Sequence, residues 1–166
     1  RQFIVLRREF QQFLAHGLGH IDNNNFGSLV SPEHLKASFL GRDMPAVGTP
    51  AHDDIFREWV RQIRDHMNAK GFINTQWAFY WVDEPGDESF LKHVVPASRL
   101  AKEVDPTILV WEDHQISLKA LEEHPGAIDI HCCPLNYYRA NPRILAHALA
   151  EKRPSWQYLC ASSKAN

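Results

Sequence analysis

With 166 residues, of which 44% are hydrophobic and 23% charged, the chain is long enough to bury a sizeable core and too apolar to stay disordered. Its formal net charge of −2 argues against electrostatic binding to nucleic acid or to an anionic membrane, and its longest apolar runs fall far short of a bilayer span. The chain begins at Arg1 without a Met, so a processed or partial sequence is expected.

In chain order, residues 2–16 place Phe3, Leu6, Phe10, Phe13 and Leu14 at helical spacing, and Gly17 ends that helix. Residues 18–22 form a short strand candidate, 23–27 carry turn chemistry, and Ser31-Pro32 reads as a cap followed by proline at the first helical position. Residues 41–51 hold two Gly and two Pro and read as a loop. The clearest helix is predicted over 53–69, with Ile55, Phe56, Trp59, Val60, Ile63 and Met67 on one stripe and Gly71 as its stop.

Residues 76–82 then form an aromatic strand that lacks polar alternation, as expected for a strand covered on both faces. A helix over 87–103 starts with Asp87 and Glu88, where the macrodipole favours acids, and Pro96 should kink or split it. The pattern continues with a strand at 107–111, a short helix at 117–123, a turn at Pro125-Gly126 and a strand at 127–131. A helix opened by Asn141-Pro142 runs to about Lys152, and a strand at 155–159 closes the series.

Helix–strand alternation of this kind implies parallel strands with right-handed crossovers. Either an open doubly wound sheet or a (β/α) barrel of the TIM type fits. A complete barrel has eight strands and about 250 residues; five strand candidates therefore point to a partial barrel, one domain spanning residues 1–166. Its two open edges would invite pairing with another chain, so a homo-oligomer is expected.

The chemistry concentrates in Tyr80-Trp81-Val82-Asp83-Glu84-Pro85-Gly86. Two adjacent carboxylates stand at the C-terminal end of a predicted strand, where α/β barrels hold their active sites. Pro85 should keep Glu84 extended, because the α region clashes with the proline ring. Glycosidic bonds are commonly cleaved by paired carboxylates, one of them protonated, and a poorly solvated aromatic setting would raise one pKa of the pair. In a regular strand the two would face opposite sides; a bend at the strand end would bring both into one cleft.

Other candidates follow the later strands. Trp111-Glu112-Asp113-His114 lies at a strand end and either contacts sugar hydroxyls or forms a solvated loop. Tyr137 and Tyr138, after Asn136, either bind substrate or pack. Trp156 and Tyr158 share one strand face and form either a sugar platform or core. Three cysteines, Cys132, Cys133 and Cys160, are too few for a disulfide framework and read as reduced structural thiols. Their spacing with His114 and His131 does not match zinc ligand pairs. No metal or organic cofactor is called for, and there is no phosphate loop or nucleophile elbow.

The stretches Ala69-Lys70-Gly71-Phe72, Phe79-Tyr80-Trp81-Val82-Asp83-Glu84-Pro85, Ile128-Asp129-Ile130 and Trp156-Gln157-Tyr158-Leu159-Cys160 resemble, in order and spacing, the catalytic domain of glycoside hydrolase family 123, the β-N-acetylgalactosaminidases. The likeness runs from about Phe10 to Cys160. The resemblance implies a (β/α) barrel with further strands on each side of this segment. It implies a retaining glycoside hydrolase acting on terminal N-acetylhexosaminides by substrate-assisted catalysis, with Glu84 as general acid/base and Asp83 orienting the 2-acetamido group. Tyr80, Trp81, Trp111, Asp113, Tyr137, Tyr138, Trp156 and Tyr158 would then line the carbohydrate substrate. The alternatives are a conventional glycosidase with Glu112, Asp113 or a residue outside this segment as nucleophile, and a truncated, non-catalytic carbohydrate-binding or self-associating barrel fragment.

Overall fold

A computed structural model describes residues 45–46, 48–74 and 77–158. The first predicted helix, the strand at 18–22 and the helix start at Ser31-Pro32 lie outside these residues, as do Leu159 and Cys160. The described part is an α/β fold whose four strands are all parallel, in the order β1-β2-β3-β4, with helices between them.

Helix α1 (Pro50–Ala69) starts within the expected loop, because Thr49 caps it by accepting the His52 N–H and Pro50 sits in the first turn. Phe56, Trp59, Val60, Ile63 and Met67 recur every three or four residues and are buried. Gly71, at φ 84°, ends the helix; its N–H returns to Asn68 and that of Phe72 to Met67, satisfying the last carbonyls.

Strand β1 (Ala78–Phe79) is short. Beyond it the N–H groups of Trp81 and Val82 turn to the Glu112 carboxylate. The aromatic run is also less uniformly covered than expected: Trp77, Phe79 and Trp81 are buried, while Ala78 and Tyr80 are only half-buried. The expected kink or split at Pro96 takes the form of a change of winding, since the helical run is continuous from Asp87 to Val104. Residues Asp87–Ser89 (α2) lead into a wider π turn over Phe90–Val94, and α3 (Val95–Val104) follows with Pro96 in its first turn. In an α-helix the proline ring would strike the carbonyl four residues back; here the Val95 N–H reaches Phe90, five back.

Strands β2 (Leu109–Asp113) and β3 (Ile130–Pro134) lie two and three residues later than predicted. Between them is α4 (Leu118–Glu123), capped by the Ser117 hydroxyl. After β3 comes a helix the periodicity did not reveal, α5 (Leu135–Ala140), then α6 (Pro142–Ala150) and β4 (Ser155–Tyr158). At the entry to β3, buried Asp129 accepts the Val110 N–H at 2.9 Å and pairs with Lys102 and Arg153. This clamp ties α3, β2 and the segment leading into β4 together.

The register sorts the strand residues onto two faces, since paired residues of neighbouring parallel strands point the same way. Phe79 pairs with Val110, Glu112 with His131 and Cys133 with Gln157. Trp77, Phe79, Trp81, Val110, Glu112, His114, His131 and Cys133 thus share the face that packs into the buried core. Ala78, Tyr80, Trp111, Asp113, Ile130, Cys132, Trp156 and Tyr158 share the other.

Candidate active site

The site is built where β1 and β2 end. Tyr80, Trp111, Asp113, Trp156 and Tyr158 all stand on the second face. The Tyr80 ring lies 4.6 Å from Trp111, and Trp111 lies 6.4 Å from Trp156, giving a row of aromatic rings across three strands. Trp156 is 38% exposed, so part of this row meets solvent.

Asp83 and Glu84 reach the same face by a bend. Glu84 is not extended as Pro85 predicts: its φ is 46°, in the left-handed region. That conformation costs a residue with a Cβ about 1 kcal/mol or more. Local bonds offset it. The Glu84 N–H donates to Asp113 Oδ1 at 3.1 Å, and Glu84 Oε1 accepts the Tyr158 hydroxyl at 2.6 Å, across three strand positions. Asp83 turns back to Tyr80, with 2.6 Å between Oδ1 and the phenol oxygen, and Tyr80 also meets Asp113 Oδ1 at 2.5 Å. The following loops are latched by the Gln115 N–H on the Pro85 carbonyl and the Ser117 N–H on Asp87. Both carboxylates thus converge with Asp113 on one patch, which regular strand geometry alone forbids.

The poorly solvated carboxylate expected here is a different one. Asp83 and Glu84 are exposed, whereas Asp113 is half-buried. Burial is the main cause holding the Asp113 pKa above the usual carboxylate range; the charges of Asp83 and Glu84 push the same way, and bonds from Tyr80 and Glu84 oppose. Tyr80 is held above its ordinary value by burial and by the two aspartates it touches.

Several predicted contacts are corrected. Trp81 is 0% exposed; its ring stacks on Phe79 at 4.4 Å and its indole N–H donates to Ser98, so it presents no surface to a sugar. Tyr138 is buried, with its hydroxyl on Ser155. Tyr137 is half-buried and donates to the Ile116 carbonyl, which fastens α5 to the β2–α4 loop. Glu112 belongs to the strand rather than to a loop and faces the core, with its carboxylate on the Trp81 and Val82 N–H groups at 2.9 and 3.4 Å. A buried acid without a cationic partner favours its neutral form: burial holds the Glu112 pKa well above the usual range, against those two N–H bonds.

His114 and His131 also face the core, 2.9 Å apart between Nε2 and Nδ1. His114 Nδ1 accepts the Ile116 N–H, so its proton sits on Nε2 and is donated to His131. Burial drives the two down to about 3 and about 4. Cys133 lies beside His114, and Cys132 and Cys133 are free, buried thiols pushed up to about 11 and about 12 by desolvation. Among the described residues no group of three or more His, Cys, Asp or Glu side chains is arranged to hold a metal ion. No helix there is long and apolar enough to cross a membrane.

The sequence named Tyr80 and Tyr158, but as sugar contacts. Their hydrogen bonds to the carboxylates carry no local signal, since Tyr158 lies 74 positions from Glu84. Compared with known proteins, the chain matches no family model, and no curated protein matches it.

Proposed function

We propose that this chain carries the active site of a (β/α)-barrel glycoside hydrolase that removes terminal N-acetylhexosamines with retention, by substrate-assisted catalysis. The observation that carries the reading is the bend at Glu84, which brings Asp83 and Glu84 onto one exposed patch, each bonded to a tyrosine, beside an aromatic row. The strand order favours a barrel. A doubly wound sheet reverses its order at a switch point, whereas these four strands run in sequence. With right-handed crossovers, such an order lays every connecting helix on one face, as in a barrel wall.

In this mechanism Glu84, steadied by Tyr158, protonates the leaving glycosidic oxygen and later takes the proton of the attacking water. Asp83 accepts the N–H of the substrate's 2-acetamido group. The acetamido oxygen then attacks the anomeric carbon as the glycosidic C–O bond breaks, giving an oxazoline that water opens with net retention. No protein nucleophile is needed, a known exception to the two-carboxylate scheme. Glu112 is unsuited to a conventional nucleophile, since it is buried on the opposite face. Trp111 and Trp156 offer apolar ring faces to the pyranose.

Glu84→Gln is expected to abolish hydrolysis of an aryl N-acetylgalactosaminide, a loss of at least about 10³-fold, with an unchanged unfolding midpoint. Wild-type protein that turns over no aryl N-acetylhexosaminide overturns the reading. A second, non-catalytic reading as a carbohydrate-binding fragment draws on the exposure of Trp156; it predicts equal sugar binding by wild type and Glu84→Gln with turnover by neither. Among the described residues β1 and β4 have no outer neighbour in the sheet. Self-association through such edges is the companion proposal, measured as solution mass.

A further inference from the structure

In a glycosidase the general acid lies beside the oxygen of the leaving group, whereas a group that binds the 2-acetamido substituent lies beside the sugar being released. Two such acids give the site a direction, from the released sugar to its leaving group. In this patch they turn opposite ways. Asp83 folds back over β1, with Oδ1 2.6 Å from the Tyr80 phenol oxygen. Glu84 reaches across the sheet to β4, where Oε1 accepts the Tyr158 hydroxyl at 2.6 Å. Strands β2 and β3 lie between, so the anchors of the two acids stand three strand spacings apart, roughly 14 Å at the backbone.

The aromatic rings follow the same line. Tyr80 and Trp111 stand at the Asp83 end, half-buried, with ring centroids 4.6 Å apart. Trp156 stands at the Glu84 end, 6.4 Å beyond Trp111 and 38% exposed. It shares its strand face with Tyr158, two residues on, about 7 Å along β4. The register sets Asp113, Cys132 and Trp156 side by side, and Asp113 is the residue that accepts the Glu84 N–H. Trp156 is thus level with the bend that carries the acid.

We propose that Trp156 is the platform of a second subsite, that this subsite takes the leaving group, and that the leaving group is itself a sugar ring. A pyranose has an apolar face that an indole can cover; an alkyl or amino-acid leaving group offers no such flat surface. The substrate is then at least a disaccharide, its N-acetylhexosamine beside Asp83 and Trp111 and its second sugar on Trp156. The leaving-group assignment rests on the hydrolase reading above; binding of two sugars along the aromatic row does not.

The test is a calorimetric titration of the full chain carrying Glu84→Gln, which keeps substrates intact. It compares N-acetylgalactosamine with a β-linked disaccharide that has this sugar at its non-reducing end. The disaccharide should bind about tenfold more tightly. In that background Trp156→Ala should remove the preference, Trp156→Phe should keep part of it, and Trp111→Ala should weaken both sugars alike. Each variant is measured far below its own unfolding midpoint, so that lost folding does not imitate lost binding. Equal affinity for the two sugars, no binding of either, or a preference that survives Trp156→Ala overturns the proposal. A preference lost in Trp156→Ala, in a protein that turns over no aryl N-acetylhexosaminide, upholds the two-sugar row while the hydrolase reading falls. Where turnover is found, Trp156→Ala should lower kcat/KM about tenfold for the disaccharide and clearly less for the glycosyl fluoride, whose leaving group has no ring. Equal losses would put Trp156 under the released sugar and overturn the leaving-group assignment.

Discussion

Glu112 and Asp113 are neighbours on β2, and the pleat of that one strand sends them to opposite faces of the sheet. Glu112 enters a dry layer with Trp81, His114 and His131, all buried, and its carboxylate ends a neighbouring strand by binding backbone N–H groups. Asp113 enters a half-wet layer with Tyr80 and Trp111, where its partners are the side chain of Tyr80 and the backbone of the Asp83-Glu84 bend. The same residue class thus serves scaffold on one face and candidate chemistry on the other. What decides is solvent access together with the partner at hand, because a buried acid without a cation, unlike Asp129, favours its neutral, hydrogen-bonded form, whereas a partly wet one keeps access to its charged form.

The two tryptophan groups offer the widest separation of these faces. Trp81→Ala removes a fully buried ring stacked on Phe79 and leaves Ser98 without its donor. It should cost about 3–5 kcal/mol in denaturant unfolding. Trp156→Ala, where the ring is partly exposed and packs on Trp111, should cost clearly less, about 1–2 kcal/mol, while weakening binding of an N-acetylhexosaminide. Equal stability losses would erase the distinction between the faces.

A smaller effect comes from the buried imidazoles. With folded pKa values of about 3 and about 4 and an unfolded value near 6.5, the unfolded state binds more protons between these limits. Their contribution is fully present above about pH 6.5 and is lost as pH falls toward 4, by roughly 1–2 kcal/mol per imidazole between pH 6.5 and 5. Glu112 and Asp113, with raised pKa values, act in the opposite direction. The difference between wild type and His131→Gln isolates the histidine part: the variant should show a shallower loss of stability over that window, measured as the urea midpoint at each pH.

The alternation that announced parallel β/α units was legible, because helix stripes such as Phe56-Trp59-Val60-Ile63-Met67 and caps such as Ser117 are local features. The strand ends were less so. Leu109–Asp113 and Ile130–Pro134 run beyond their apolar residues because polar Glu112 and His131 are buried there, and burial is fixed by the opposing layer. Helix α5 was missed because six residues, Leu135–Ala140, are too few to display a period. At the site, the Asp83-Glu84 pair stood out as residue types. Its geometry did not, since Pro85 argues for an extended Glu84 and only the distant partners Asp113 and Tyr158 hold the bend.

The smallest expected effect tests the scaffold half of the comparison. If Glu112 is neutral, its carbonyl oxygen takes the Trp81 N–H at 2.9 Å and its hydroxyl lies by the Val82 N–H, where the contact is longer, 3.4 Å. A glutamine has the same shape and keeps the first bond, placing an amide nitrogen at the longer contact. Glu112→Gln should therefore cost only about 1 kcal/mol or less and should remove the part of the pH dependence that Glu112 contributes. A charged Glu112 would instead accept both N–H groups in charge-assisted bonds, and its replacement would lose the charge from both, at a cost of about 3 kcal/mol or more. Urea unfolding of Glu112→Gln at neutral pH separates the two outcomes. A loss in the larger range would mean that the core face carries charge too, and that solvent access is not what divides the two faces.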